Sequence, residues 1–396
     1  MFRPTLRARY AVGVVLATAV LFDLYEAVGH MLGRPFQPDY TDYFVAARIG
    51  LANGWSHIYD FDLQRRLLAE TIPGWEWLPF WNPPPLAWLA APFASLPFWP
   101  GFLLWVVALL GAWFATWRLL APTASRWTHL LLLAGLFPVA NGIWLGQPTG
   151  LVALGLAGAW WLQRDGRHLL AGVTLAAALS LKPHPLILVP VCLLVAGAYR
   201  TVLYTALTGF LVASFALLTL GPGGLGDLTA ALVAAAHSER WAPYTIAGLV
   251  GFGVEATMIK AVFVASALSV AYLWRRTAPS VAILAGVAGS LAVAPYLHLH
   301  DLAFLVPAAW IAAPDLTGVA WRRLAIFGWL AIELSLGAGQ LVILLEAAIL
   351  GLALWQVLGG RAPAASSHDG HLALIAPASG NVSPSPESAS FGGAPH

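Results

Sequence analysis

Asp39 and Asp42 stand three residues apart in the stretch PDYTDYFVAAR, in a chain that otherwise avoids charge. A carboxylate can take the proton of a hydroxyl nucleophile, and partial desolvation at a membrane edge raises its pKa toward the range where it serves as a base. Four further stretches carry chemistry. LGQPTG contributes Gln147, LKPHPL contributes Lys182 and His184, HSERWAPY contributes Arg240, Trp241 and Tyr244, and YLHLHDL contributes His298, His300 and Asp301. Lys182, Arg240 and His300 offer positive charge or N–H donors to an anion. Tyr43 follows Asp42, and Asn82 opens the proline run of WNPPPLAW, which forces an extended entry into whatever helix follows.

Each group also has a plain structural reading. A loop carboxylate such as Asp42 or Asp60 can simply be solvated. Pro183 and Pro185 break a helix whether or not Lys182 does chemistry, and Lys182 can snorkel to an interface. The HLHD tetrad invites a metal, but His298 and His300 lie two apart and spacing supplies no third ligand, so a hydrogen-bonded corner is the simpler reading.

The elements that must position these residues are membrane helices. Of 396 residues, 59% are hydrophobic and 10% charged, against roughly 25% charged in a soluble domain. Apolar runs of spanning length recur from residue 9 to residue 358, and backbone that crosses lipid must satisfy its polar groups internally, as a helix does. The class is therefore an all-α polytopic membrane protein, with about twelve crossings over 9–30, 86–120, 127–145, 148–163, 168–181, 184–199, 201–220, 257–274, 280–296, 302–314, 324–338 and 340–358. Residues 9–22 resemble a signal peptide but run into Asp23 and Glu26 without a small-residue cleavage site, so they are read as an uncleaved first helix. The single cysteine, Cys192, supports no disulfide framework and no thiolate metal site. The net charge of +2 is scattered at helix ends and points to no nucleic acid.

Arginines gather in cytoplasmic loops. With the N-terminus inside, Arg118, Arg126, Arg164, Arg167, Arg200, Arg275, Arg276, Arg322 and Arg323 all fall on the cytoplasmic side. Two long segments then face outward: 31–85, and 221–256 opening with GPGGLGDL. The candidate residues, drawn from the whole length of the chain, collect at that one boundary. Residues 359–396, rich in Ala, Ser, Pro and Gly, read as a disordered cytoplasmic tail. Asp23, Glu26, Glu333 and Glu346 lie within spans and are candidates by position.

Taken in order, these motifs resemble glycosyltransferase family 87, a branch of the GT-C membrane glycosyltransferases. The family's first outer loop matches Asp39, Tyr40, Tyr43, Phe44, Ala46 and Ala47, with Asp42 at a variable position, then Gly54, Tyr59, Asp60 and the proline run. Its Gly-Gln corner matches Gly146–Gln147, its Lys-Pro matches Lys182–Pro183, and its late Pro…His segment matches Pro295 to His300. Asn82 stands where the family often has Tyr.

The resemblance implies an enzyme of a bacterial inner (cell) membrane that moves a hexose, mannose in the best-known members, from a polyprenyl-phosphate-sugar donor. The acceptor is a lipid or glycan on the extracytoplasmic side, and the anomeric centre inverts. Asp39 takes the position of the catalytic base. Lys182, His300 and Arg240 are expected at the donor phosphate, and Asp42, Tyr43, Asn82, Gln147, His184, Trp241, Tyr244, His298 and Asp301 around the substrates. No cofactor is implied, and a divalent cation is left open. A transporter or lipid-linked-sugar flippase with a polar outer cavity is the competing class, though such a protein should carry polar groups near the midplane in both halves.

Overall fold

Long apolar runs become long helices here, and prolines and glycines decide where they stop. The computed structural model describes residues 37–236, 244–316, 318–336 and 339–359, with Gly13, 18–22, Tyr25 and Val28 of the first predicted span. The described residues are helical, without a strand. In chain order they form α1 (Tyr40–Asn53), α2 (Phe61–Thr71), α3 (Pro84–Ala94), α4 (Phe98–Leu120), α5 (Arg126–Ala134), α6 (Phe137–Trp144), α7 (Thr149–Arg164), α8 (His168–Leu181), α9 (Val189–Val195), α10 (Tyr199–Ala236), α11 (Ile246–Val250), α12 (Val254–Trp274), α13 (Val281–Val293), α14 (Leu305–Ala312), α15 (Val319–Glu333) and α16 (Gln340–Leu358).

Among the described residues, four helices are long and apolar enough to cross a bilayer: α4, α10, α12 and α16. A fifth arises if α5 and α6, bent by 62° at their junction, count as one span. The bend falls at Gly135, and Pro138 lies in the first turn of α6, where its missing N–H costs nothing. The other predicted crossings coincide with shorter apolar helices, among them His168–Leu181, His184–Val195, Val281–Val293 and Leu299–Ala312. Most of the first predicted helix, Asp23 and Glu26 included, the Arg240–Trp241 segment and the tail from residue 360 lie outside the described residues.

The Gly-rich GPGGLGDL departs from expectation. It is not the start of an open loop: α10 continues through it to Ala236, broken only at Gly221 (φ +61°) and Pro222. The second half of α10 lies against the 3₁₀ turn Trp55–His57, so close that a Cβ on Gly224 would stand 2.4 Å from the Ser56 carbonyl oxygen.

Nor is the region of residues 37–85 a loose loop. It forms its own aromatic core, in which Tyr40, Phe44, Ile49, Ile58 and Phe80 are fully buried together with Leu86 and Trp105 of the next helices. Asp60, one of the loop carboxylates, caps α2 by accepting from the Leu63 N–H at 2.9 Å. This core is stitched to the helical bundle at one corner. The Tyr40 N–H donates to the Leu145 carbonyl (3.0 Å), and the Trp105 indole N–H donates to the Gly146 carbonyl (2.7 Å).

The two intramembrane glutamates that are described differ. Glu333 accepts from the Phe137 N–H at 2.8 Å, satisfying a free donor at the start of α6. Glu346 is 1% exposed, and neither of its oxygens has a hydrogen-bond partner among the described residues.

Candidate active site

Lys182 owes its position to the two prolines after it. A residue before proline is pushed out of the helical region, and Lys182 leaves α8 in an extended conformation (φ −152°, ψ 90°). The side chain then turns inward instead of snorkelling and is 5% exposed. Its ammonium meets three acceptors: Asp301 Oδ1 at 2.6 Å, His300 Nε2 at 2.9 Å and Gln147 Oε1 at 3.0 Å. An ammonium has only donors, so His300 accepts through Nε2 and carries its proton on Nδ1. Asp301, fully buried, uses its second oxygen to accept from His184 Nε2 at 3.1 Å and from the His298 N–H at 3.0 Å. The YLHLHDL corner is thus the hydrogen-bonded turn its spacing suggests, and it also anchors the lysine.

Gln147 joins this cluster to the first aspartate. Its amide nitrogen donates to Asp39 Oδ2 at 2.6 Å while its oxygen accepts from Lys182. Asp39 precedes the first turn of α1, half-buried. Asp42 lies one turn on, the spacing that brings two side chains to one helix face. The solvated reading of Asp42 is corrected: the residue is 8% exposed, because ten of the fourteen residues of α1 are buried. Asn82 Nδ2 lies 3.4 Å from Asp42 Oδ2, and Oδ1 has no hydrogen-bond partner among the described residues.

Burial pushes the Asp39 carboxyl above its ordinary value, while the Gln147 hydrogen bond and the Lys182 charge pull it back. Asp42 is pushed up further, first by burial and then by the charge of Asp39. Burial also lowers His298, to about 4, leaving a neutral ring stacked on His300.

The remaining expected residues divide. Tyr43 packs edge-on against Phe80 and belongs to the aromatic core. Tyr244 is half-buried against the main helical core. Tyr296 has a place that its sequence context did not single out: its ring centroid is 4.5 Å from that of His184. The signal was its membership of the same PYLHLHD turn. Among the described residues no group of three or more His, Cys, Asp or Glu side chains is arranged to hold a metal ion.

Gly146 explains why a glycine precedes Gln147. Its φ is +73°, and a Cβ there would stand 2.8 Å from the Tyr40 Cβ. Gly146→Ala should cost about 1–3 kcal/mol and reduce activity by moving Gln147, seen as a lower melting temperature in detergent together with slower turnover. An unchanged melting temperature would refute this account of the corner.

An all-helical protein with apolar helices of spanning length, whose buried polar cluster is built from distant parts of the chain, is a membrane protein with an internal polar site. The chain belongs to glycosyltransferase family 87, whose model matches residues 80–297, more than half of its length. No curated protein and no solved structure matches it. The family makes the protein a glycosyltransferase, acting on a sugar donor and an acceptor. Asn82, Gln147, Lys182 and His184 lie inside the matched region; Asp39, Asp42, His298, His300 and Asp301 lie outside it.

Proposed function

We propose that the protein transfers a hexose, mannose in our reading, from a polyprenyl-phosphate-sugar to a lipid or glycan acceptor on the extracytoplasmic face, with inversion, as a GT-C enzyme. The observation that carries this reading is the bridge through Gln147, whose one side chain touches both the Asp39 carboxylate and the Lys182 ammonium. Asp39 takes the proton of the acceptor hydroxyl as its oxygen bonds to the sugar's anomeric carbon. The bond from that carbon to the phosphate oxygen breaks with its electron pair on the phosphate. That group is already a stable anion, so no second acid is needed, unlike the paired carboxylates of a glycosidase.

Lys182 stabilises the charge gathering on the leaving phosphate. His300 accepts from the ammonium and orients it, and Asp301 holds it from behind, itself steadied by His184. Arg240 remains assigned to the donor phosphate within this proposal, and Asp42, Asn82, Trp241, His298 and Tyr244 to substrate contacts. The outer face follows from the arginine distribution in the short loops. Membership of a glycosyltransferase family favours transfer over the transporter reading.

The test is incubation of the purified protein with radiolabelled polyprenyl-phosphate-mannose and a membrane lipid extract. Label should move to a lipid or glycan, with inverted stereochemistry. No transfer from any polyprenyl-phosphate-hexose would overturn the donor assignment.

The pH profile follows from the Asp39 environment. The base works ionised, so kcat/KM should fall as pH drops through its pKa, which lies above the ordinary carboxylate value of about 4. Gln147→Leu removes a hydrogen bond that lowers this pKa, and the acid limb should move to higher pH. A limb that stays in place would detach Asp39 from the profile.

A further inference from the structure

A cavity of about 370 Å³ lies between α5, α14, α15 and α16, apart from the polar site. A water occupies about 30 Å³ in the liquid, so the space is that of a chain rather than of a solvent molecule. Its walls are mainly aliphatic, with Leu133, Leu305 and Leu345 among them, and give water almost nothing to bond. Ala309 and Ala325 line it and are exposed, so the cavity opens between membrane helices, where hydrocarbon is the surrounding solvent.

The cavity has one cationic end. The Trp329 indole donates to the Leu132 carbonyl at 3.0 Å, and the Phe137 N–H donates to Glu333 at 2.8 Å, so α5 and α15 run parallel in register. Arg322, in the first turn of α15, and Arg126, the first residue of α5, therefore lie toward the same end of the two helices, though only Arg322 lines the cavity. Arg322 lines the cavity, is exposed and has no ion-pair partner among the described residues; the buried Nε of Arg126 likewise has no hydrogen-bond partner among them. The acid at this end, Asp315, is engaged by Ser280. This end is remote from catalysis, because α5 continues through α6 toward Gln147, and α14 runs away from Asp301.

We propose that the cavity binds an anionic membrane phospholipid, with an acyl chain between α5, α14, α15 and α16 and the phosphate at Arg322. The site is separate from the one that takes the sugar donor, whose phosphate belongs at Lys182, a residue that does not line this cavity. Apolar lining and unneutralised arginine at one end match the two parts of such a lipid, and guanidinium groups suit phosphate.

The test measures retention of phosphatidylglycerol, phosphatidylcholine and inorganic phosphate by the purified protein in detergent, using native mass spectrometry and thermal shift. Phosphatidylglycerol should bind and stabilise, with the other two weaker. Arg322→Ala should weaken phosphatidylglycerol about fivefold, the worth of one surface arginine. Ala309→Phe, which fills the cavity, should abolish retention, whereas Asp39→Asn should leave it intact even if transfer fails. Equal binding of the two lipids with no effect of Arg322→Ala would overturn the proposal. So would a full shift with inorganic phosphate alone. A polyprenyl phosphate that displaces phosphatidylglycerol, together with a raised donor KM in Ala309→Phe, would also overturn it by assigning the cavity to the donor chain.

Discussion

Asp39→Asn should lower sugar transfer by about 10²–10⁴-fold, the contribution of a positioned general base, while the protein inserts and melts as the wild type does. The substitution keeps the shape of the side chain and an oxygen that accepts from Gln147 Nε2, the one side-chain hydrogen bond Asp39 makes here at 2.6 Å. What it removes is the capacity to take a proton. Asp42→Asn is the matched control. Burial and then the charge of Asp39 push Asp42 toward its neutral form, which a neutral amide at that position resembles, and a much smaller loss is expected. Initial rates with a radiolabelled donor, measured beside a melting curve for each variant, separate the two aspartates. Comparable activity of Asp39→Asn and the wild type would remove Asp39 from the mechanism. Equal losses in the two variants would mean that the pair acts as one unit.

Lys182→Ala should act on stability and on transfer together. It leaves Asp301 fully buried with only His184, distant His300 and one backbone N–H facing its oxygens. Removing one member of a buried ion pair costs about 3–5 kcal/mol, because the other charge stays behind. Loss of phosphate stabilisation should cost a further factor of about 10²–10³ in turnover. The double change Lys182→Met with Asp301→Asn separates these effects. With both charges gone the buried site is neutral, and most of the stability should return, whereas transfer should not. Recovery of transfer in the double variant would make Lys182 a structural cation only. Unchanged donor KM and kcat in Lys182→Ala would exclude it from the donor site.

Much of this site was legible in the residue order. KPHP dictates an extended Lys182 at the end of an apolar helix, because proline restricts the residue before it. GQP announces a corner, and HLHD a capped turn. The apolar runs mark membrane helices because backbone in lipid has no other partner than itself. The grouping of these motifs at one level also followed from arginine placement, without any knowledge of contacts.

Other features were not local properties. GPGGLGDL reads as a loop because glycine and proline disfavour helix, yet its packing against Ser56 keeps α10 helical on both sides of Gly221. Tertiary contact overrides propensity there, as it does in the short helices whose ends the apolar runs did not mark. Asp42 looked solvated because its neighbours in sequence are polar and aromatic; only the aromatic core around Phe80 and Trp105 buries it.

By itself, then, the sequence determined an all-helical protein with helices fit for a bilayer and membership of a glycosyltransferase family, together with the identities of the residues that meet in the site. Hydrophobicity, proline geometry and motif order are written along the chain and need no third dimension. The tertiary structure decided that Gln147 bridges Asp39 to Lys182, that Asp301 neutralises the lysine from the far side, and that Tyr296 lies against His184. Apart from Gln147 and Lys182, which are 35 positions apart, these pairings join residues more than a hundred positions apart. Their distances follow from how α1, α8 and the turn after α13 pack, and no spacing in the sequence records that packing.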